Sequence, residues 1–255
     1  MNSALHHSII IPYRNRLEHL EILVPRLREV LNKLDYSIIV VEQADNKIFR
    51  RGNLKNCGAV YSRDGILIFH DVDHYPLDNV LYYDNQSDVY LPVNKVNYVM
   101  NDLSPREITD IPSGYRHFKD GVDSSFFGGV VTITKEAFTR INGYGSNFKG
   151  WGIEDGNLGI RAKNANLSIT RGNGSFLALH HEDSFPGERD PDFINNAQRA
   201  NDMADGLNNM TFKLNPVHPK ISGVDHWLEC SDFDPPIAHS NKITVSQFNF
   251  EEEVI

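Results

Sequence analysis

Two aspartates separated by one residue, Asp71 and Asp73, follow directly on an apolar run, Gly65–His70 (GILIFH). Alternate residues of an extended segment point the same way, so both carboxylates can address one ligand while Val72 turns into the wall. Hard oxygen ligands of this kind suit Mg²⁺ or Mn²⁺, ions that bridge to phosphates and keep open positions. The competing reading is a strand-end turn that uses Asp for solvation and capping. Far downstream, His180-His181-Glu182-Asp183 adds imidazoles, which suit Mn²⁺ better than Mg²⁺. Neighbours on a strand face opposite ways, so one histidine of the pair is expected to reach a metal, and which one stays open.

Arg14 and Arg16 in Pro12-Tyr13-Arg14-Asn15-Arg16 follow a short β-rich run and open a helical stretch. Their guanidinium forks match phosphate or ribose oxygens, and two arginines in a first helical turn oppose the helix dipole, which disfavours a purely structural role. Arg50-Arg51 after Phe49 offers a further phosphate contact, with Phe49 as an apolar wall. In Gly150-Trp151-Gly152-Ile153-Glu154-Asp155-Gly156-Asn157 a tryptophan between glycines offers a flat face for a sugar ring. Glu154 and Asp155 open a helix, whose dipole is expected to lower their pKa. A carboxylate held against a hydroxyl can take its proton as that oxygen attacks.

The elements that must position these groups read strand, helix, strand, helix, strand. Ser8–Ile11 is a strand stopped by Pro12. Leu17, Leu20, Leu23, Val24, Leu27, Val30, Leu31 and Leu34 recur at helical spacing, and Pro25 within them predicts a kink or restart. Tyr36–Val41 and Gly65–His70 read as buried parallel strands around a helix over Asn53–Val60. This alternation predicts an α/β, doubly wound, mostly parallel central sheet, with ligands bound beyond the carboxyl ends of the strands. Pro12-Tyr13-Arg14, Glu42-Gln43 and Asp71-Val72-Asp73 should therefore share one cleft. From Asp84 to Ser125 the pattern predicts loops with short strands. Phe127–Ile133 reads as a strand, Lys135–Ile141 as a short helix, and a further helix starts near Glu154. Ser175–Leu179 reads as a strand, Asp192–Leu207 as a surface helix and Lys242–Val245 as a last strand. One domain over 1–255 is expected, with a nucleotide-binding half to about residue 80, an acceptor and lid half to about 215 and a C-terminal extension over 216–255.

The 255 residues carry a net charge of -9, which excludes a general nucleic-acid binder. Two cysteines, Cys57 and Cys230, fit a reducing compartment. No apolar run reaches the length of a membrane span, so a soluble cytoplasmic protein is expected, attached if at all to the inner face of a membrane.

In IIIPYRNRLEHL (Ile9–Leu20), QADNKIFRRGNLKNCG (Gln43–Gly58), DVDHYP (Asp71–Pro76), FFGGVVTITKEAFTRINGYGSNFKGWGIED (Phe126–Asp155), the histidine pair and DGLNNMTF (Asp205–Phe212) the chain resembles the β-1,4-galactosyltransferase family, with its xylosylprotein and N-acetylgalactosaminyl relatives. Ordered blocks across most of the chain are far more specific than any single one. The resemblance implies a GT-A fold, a UDP-sugar donor, Mn²⁺ (Mg²⁺ as the alternative), a glycan or glycolipid acceptor and inversion at the anomeric carbon. It implies that Pro12, Tyr13, Arg14, Arg16, Phe49, Arg51, Asp71, Val72 and Gly128 serve the donor, and that Asp73 with His180 or His181 holds the metal. Trp151 would close over donor and acceptor on a lid loop. Phe126, Gly129 and Glu154 would face the acceptor, with Asp155 as general base. Phe126 keeps the bulk that the resemblance associates with galactose rather than N-acetylgalactosamine. Where the family reads GWGGEDDD this chain reads GWGIEDGN, so Gly156 and Asn157 replace acidic positions, one of them tied to an N-acetylglucosamine acceptor. The lack of a membrane anchor and stem fits a bacterial enzyme of surface-polysaccharide synthesis. The rival readings are a relative using another UDP-sugar and a non-catalytic nucleotide-sugar-binding module.

Overall fold

The computed structural model describes residues 5–77, 80–98, 117–119, 127–150, 152–179 and 191–233. Ile9, Ile10 and Ile11 are all fully buried, because β1 (His7–Tyr13) is covered on both faces. Ile9 and Ile11 join one core with Leu20, Leu23 and Leu27 of α1 (Leu17–Val30). Ile10 joins the other with Leu54 and Cys57 of α2 (Arg51–Tyr61). A period of two thus sorts one strand between two helices on opposite faces. The same division holds for β2 (Tyr36–Gln43), with Ile38 and Val40 on the α1 side and Ile39 and Val41 on the other. It holds again for β3 (Ile66–His70), with Ile66 and Ile68 against Leu67 and Phe69.

The chain continues through β4 (His74–Pro76), β5 (Val89–Tyr98), β6 (His117–Lys119), β7 (Val130–Thr134), α3 (Lys135–Arg140), α4 (Glu154–Asn164), β8 (Ile169–Ala178), α5 (Pro191–Gln198), β9 (Lys213–Val217) and β10 (His226–Ser231). The strands form one sheet in the order β4-β8-β5-β7-β3-β1-β2-β10-β9, with β6 on β5. At its centre β3, β1, β2 and β10 run parallel. Antiparallel β7 and β9 flank that block, and β5 and β8 pair in parallel beyond β7. Residues 226–231, expected within a C-terminal extension, thus lie beside β2 in the central block.

Several boundaries differ from the sequence reading, each for a local reason. β1 runs through Pro12 to Tyr13 because Pro12 lies past the last β1–β3 pair, Ile10↔Phe69, where β1 has lost one neighbour and a missing N–H breaks less of the ladder. α1 continues as one helix across Pro25, which sits on the exposed face. β5 is a ten-residue strand in the stretch read as loops with short strands. Its register against β8 shifts between Leu91 and Val93 and again before Lys95, and those irregularities erase the alternation a strand shows in sequence. β8 begins at Ile169 rather than Ser175, its first half masked by Gly172 and Gly174. α5 ends at Gln198 rather than Leu207, because the carbonyls of Ala200, Asp202 and Asp205 turn inward onto Asn157 and Arg161 of α4. The strand expected over Lys242–Val245 lies outside the described residues.

α2 packs so closely on the sheet that a Cβ at Gly58 would stand 2.4 Å from Cγ2 of Ile10 and 3.1 Å from Cγ2 of Val41. Gly58→Ala would gain about 1 kcal/mol of helix propensity but force an overlap in a closed core that costs about 1–3 kcal/mol. The overlap should win, and a urea melt should show the variant less stable; greater stability would mean that α2 can back away from β1.

Candidate active site

Because β1, β2 and β3 are parallel neighbours, their carboxyl ends open on one side, and the three polar clusters following them converge there. After β1, Arg14 donates from Nη1 to the carbonyl of Lys47 (2.6 Å) and lies over the Phe49 ring at 4.9 Å. Arg14, Asn15, Arg16, Asn46, Lys47 and Ile48 line an open cleft of about 520 Å³. Both arginines precede α1 rather than standing in its first turn, so neither opposes that dipole from within the helix. Tyr13 is buried edge-on against Trp227, ring centroids 5.3 Å apart.

After β2, Gln43 organises the loop that carries Phe49. Its Oε1 accepts from the Arg50 amide (2.9 Å), and its Nε2 donates to Asp45 Oδ1 (2.8 Å) and to the carbonyls of Lys47 and Ile48 (both 3.2 Å). After β3, the Asp71–Asp73 turn is pinned from two sides. The Asp71 amide donates to the Gly129 carbonyl, and the Asp73 carbonyl accepts from the Leu179 amide, each at 2.8 Å. Val72 packs against the α1-side core, as alternation requires.

α2 supplies the cations. Arg51, in its first turn, meets three carboxylates: Asp71 Oδ2 through Nη1 (2.8 Å), Glu154 Oε1 through Nε (2.6 Å) and Asp155 Oδ2 through Nη2 (3.0 Å). One turn later Lys55, its side chain 1% exposed, places Nζ 3.0 Å from Asp71 Oδ1 and 3.3 Å from Asp155 Oδ1. The Asp71 contact has ion-pair distance but is out of line for a hydrogen bond, and that oxygen remains without a hydrogen-bond partner. Glu154 Oε2 is likewise buried and unpartnered.

Burial pushes the Asp71 carboxyl up, but Arg51 and then Lys55 outweigh it, and its pKa lies below the ordinary value. Burial also raises Glu154; here Arg51 only partly offsets it, so its pKa stays above normal. That reverses the lowering expected from the helix dipole, because a terminal half-charge counts for less than loss of solvent. Burial lowers the Lys55 ammonium, and Asp155 and Asp71 more than reverse it.

Asp71, Asp73 and His74 each offer a ligand atom, all within 4.8 Å of one another. His74 Nδ1 lies 3.0 Å from Asp73 Oδ1. Burial disfavours the charged ring, but that contact prevails and raises its pKa. Gly129 adopts φ +78 against this ring; a Cβ there would stand 2.5 Å from His74 Cδ2. Gly128 is buried beside it.

Of the residues named from the sequence, Arg14 and Phe49 thus stack, and Arg51, Asp71, Glu154 and Asp155 form one cluster. Phe126, Trp151, His180 and His181 lie outside the described residues. Asn157 does not face the cluster. It is buried, donates to the carbonyls of Ala200 and Asp202 (both 2.9 Å) and accepts from Arg161 Nε (2.7 Å), so it scaffolds α4. Gly156 is exposed, with nothing within 4 Å of where a Cβ would stand. Sequence reasoning missed Lys55 and His74. For Lys55 the available signal was its four-residue step from Arg51, which puts both on one helix stripe.

A family model described as the N-terminal region of glycosyl transferase group 7 matches residues 2–86, and one described as the N-terminal domain of galactosyltransferase matches residues 116–182. β-1,4-Galactosyltransferase 5 of Sus scrofa is 32% identical over 227 residues, spanning 84% of this chain and 53% of that protein. β-1,4-Galactosyltransferase 4 of Homo sapiens is 30% identical over 239 residues, spanning 87% and 63%. The chain therefore spans between half and two thirds of the length of these relatives. Among solved structures, a Drosophila β-1,4-galactosyltransferase 7 mutant in complex with manganese, UDP-Gal and xylobiose superposes with a TM-score of 0.72 at 24% identity, over 91% of this chain and 95% of that one. The architecture is accordingly that of the GT-A glycosyltransferases. With the two models matched in order over residues 2–86 and 116–182 and relatives at 30–32% identity across more than four fifths of its length, the chain belongs to the β-1,4-galactosyltransferase family, glycosyl transferase group 7.

Proposed function

We propose that this protein transfers galactose from UDP-galactose to a hydroxyl of a glycan or glycolipid acceptor, with inversion and with a divalent cation, Mn²⁺ foremost. The observation that carries this reading is the junction of three carboxylates on Arg51: Asp71 from the donor side of the sheet, Glu154 and Asp155 from the helix opposite. One side of that junction suits a cation and a diphosphate, the other a sugar hydroxyl.

The residues present fit the cation. Asp71, Glu154 and Asp155 oppose Arg51 and Lys55, so with all three carboxylates ionised that cluster keeps one negative charge, and Asp73, 3.0 Å from His74, adds a fourth carboxylate beside it. Two hard oxygens with an imidazole suit Mn²⁺. Asp73 with His180 or His181 would hold it. Leu179, bonded to the Asp73 carbonyl, immediately precedes that doublet and supports the assignment. When bound, the ion supplies Lewis-acid neutralisation of the leaving diphosphate. Arg14 and Arg16 would bind donor oxygens in their cleft, beside Phe49 as an apolar wall, with Pro12, Tyr13 and Val72 shaping its floor. Trp151 would cover donor and acceptor, and Gly128, Gly129 and Phe126 would bound the galactose. The unpartnered Glu154 Oε2 would take a sugar hydroxyl. Asp155 would accept the acceptor hydroxyl's proton as that oxygen bonds to C1 and the bond from C1 to the UDP oxygen breaks.

The test is a donor panel read by UDP release with Mn²⁺ and a range of glycan acceptors. UDP-galactose should exceed UDP-N-acetylgalactosamine, UDP-xylose and UDP-glucose in kcat/KM by about tenfold or more, and a chelator should abolish turnover. Another preferred donor would replace the galactose reading. Tight UDP binding without turnover of any donor would favour a non-catalytic module.

A further inference from the structure

Lys55 is a costly residue for its place. Its side chain is 1% exposed, and a buried ammonium loses hydration that only close anions restore. Its neighbours on α2, Leu54 and Cys57, pack in the apolar core, and its Nζ lies over the Tyr144 ring, 5.1 Å from the centroid. An apolar side chain would fill such a site at lower cost, so the charge calls for a reason.

The geometry supplies one. Asp155 is held at both oxygens by two cations of a single helix, Oδ2 by Arg51 at 3.0 Å and Oδ1 by Lys55 at 3.3 Å. With Arg51 alone, the carboxylate would be tethered at one point and free to turn about its Cβ–Cγ bond. Two points fix its plane. The same ammonium reaches Asp71, whose turn carries Asp73, so Lys55 also sets the separation between that turn and Asp155. We infer that Lys55 is a positioning residue for transfer: acting through Asp155, it holds the acceptor-activating carboxylate in register with the donor turn. This inference rests on the function proposed above.

The full chain carrying Lys55→Met should keep its UDP affinity and its KM for UDP-galactose within about threefold, while kcat falls about 30-fold, since small misplacement of a reacting group costs up to about a hundredfold. If K55M loses its cooperative thermal melt, Lys55→Gln, which keeps length and a donor without the charge, takes its place with the same expectation. An unchanged kcat in a folded variant would overturn the inference. So would a KM that rises as far as kcat falls, or loss of the melt in both variants, which would make Lys55 a structural ion-pair partner only. Asp155→Asn, assayed beside them, separates the two levels. If it keeps full activity, the base assignment fails and the role of Lys55 falls with it; if it is inactive while K55M turns over normally, the Lys55 inference alone fails.

Discussion

Asp155→Asn is expected to reduce kcat for galactosyl transfer by about 10³-fold, within the range for loss of a general base, and to leave UDP and Mn²⁺ binding within about threefold. The substitution keeps the shape of the side chain and removes its capacity to take a proton. Donor affinity should survive because Arg14 and Arg16, proposed to bind donor oxygens, line a cleft to which Asp155 does not contribute. A modest fall in melting temperature should accompany the loss. The wild-type carboxylate faces a cation at each oxygen, and an amide can offer an acceptor to only one of them. Stopped-flow or product assays at saturating donor, with UDP titrated calorimetrically in parallel, separate these effects. A variant that turns over at the wild-type rate removes Asp155 from the chemistry.

The second large effect concerns stability. Arg51→Met should cost about 3 kcal/mol, the lower end for breaking a buried ion pair, because the guanidinium is 25% exposed. For a chain of this size that corresponds to a fall in Tm of about 6–12 °C. Three carboxylates from two parts of the fold meet this one side chain; without it Asp71 and Asp155 keep Lys55, and Glu154 loses the cation hydrogen-bonded to it.

The deficit should depend on pH, and two carboxylates set its sign. The folded pKa of Asp71 lies below its reference of 3.8. Its contribution is therefore present above about pH 4 and lost as pH falls through the lower folded value. Glu154 is raised above 4.5, so its contribution is present at low pH and lost as pH rises through the folded value. Removing Arg51 raises both carboxyls, which worsens the fold at neutral pH and matters little once they are protonated. Urea melts of wild type and R51M should thus differ most near pH 7 and converge below about pH 4. A constant difference across that range would mean that Arg51 stabilises by packing rather than by charge.

The central block and the outline of the site were legible because both rest on local rules. Runs such as YSIIVV and GILIFH can be buried only as covered strands, and parallel order then brings the loop after each strand to one end of the sheet. Hence the loops of Arg14, Gln43 and Asp71 could be assigned from the sequence to one end of the sheet. The boundaries of β5 and β8 were not legible, since shifts of register between partners distant in sequence conceal the alternation in each. Nor was β10: HWLECS is short, and its place beside β2 depends on a pairing with residues far earlier in the chain. The electrostatics at Glu154 and Lys55 belong to the same class. A pattern can put a carboxylate at a helix start or a lysine on a helix stripe, but its charge state depends on burial and on which opposite charges arrive from elsewhere. Here those charges come from the turn after β3 and from α2 and α4, brought within about 3 Å of one another by the folded sheet and helices.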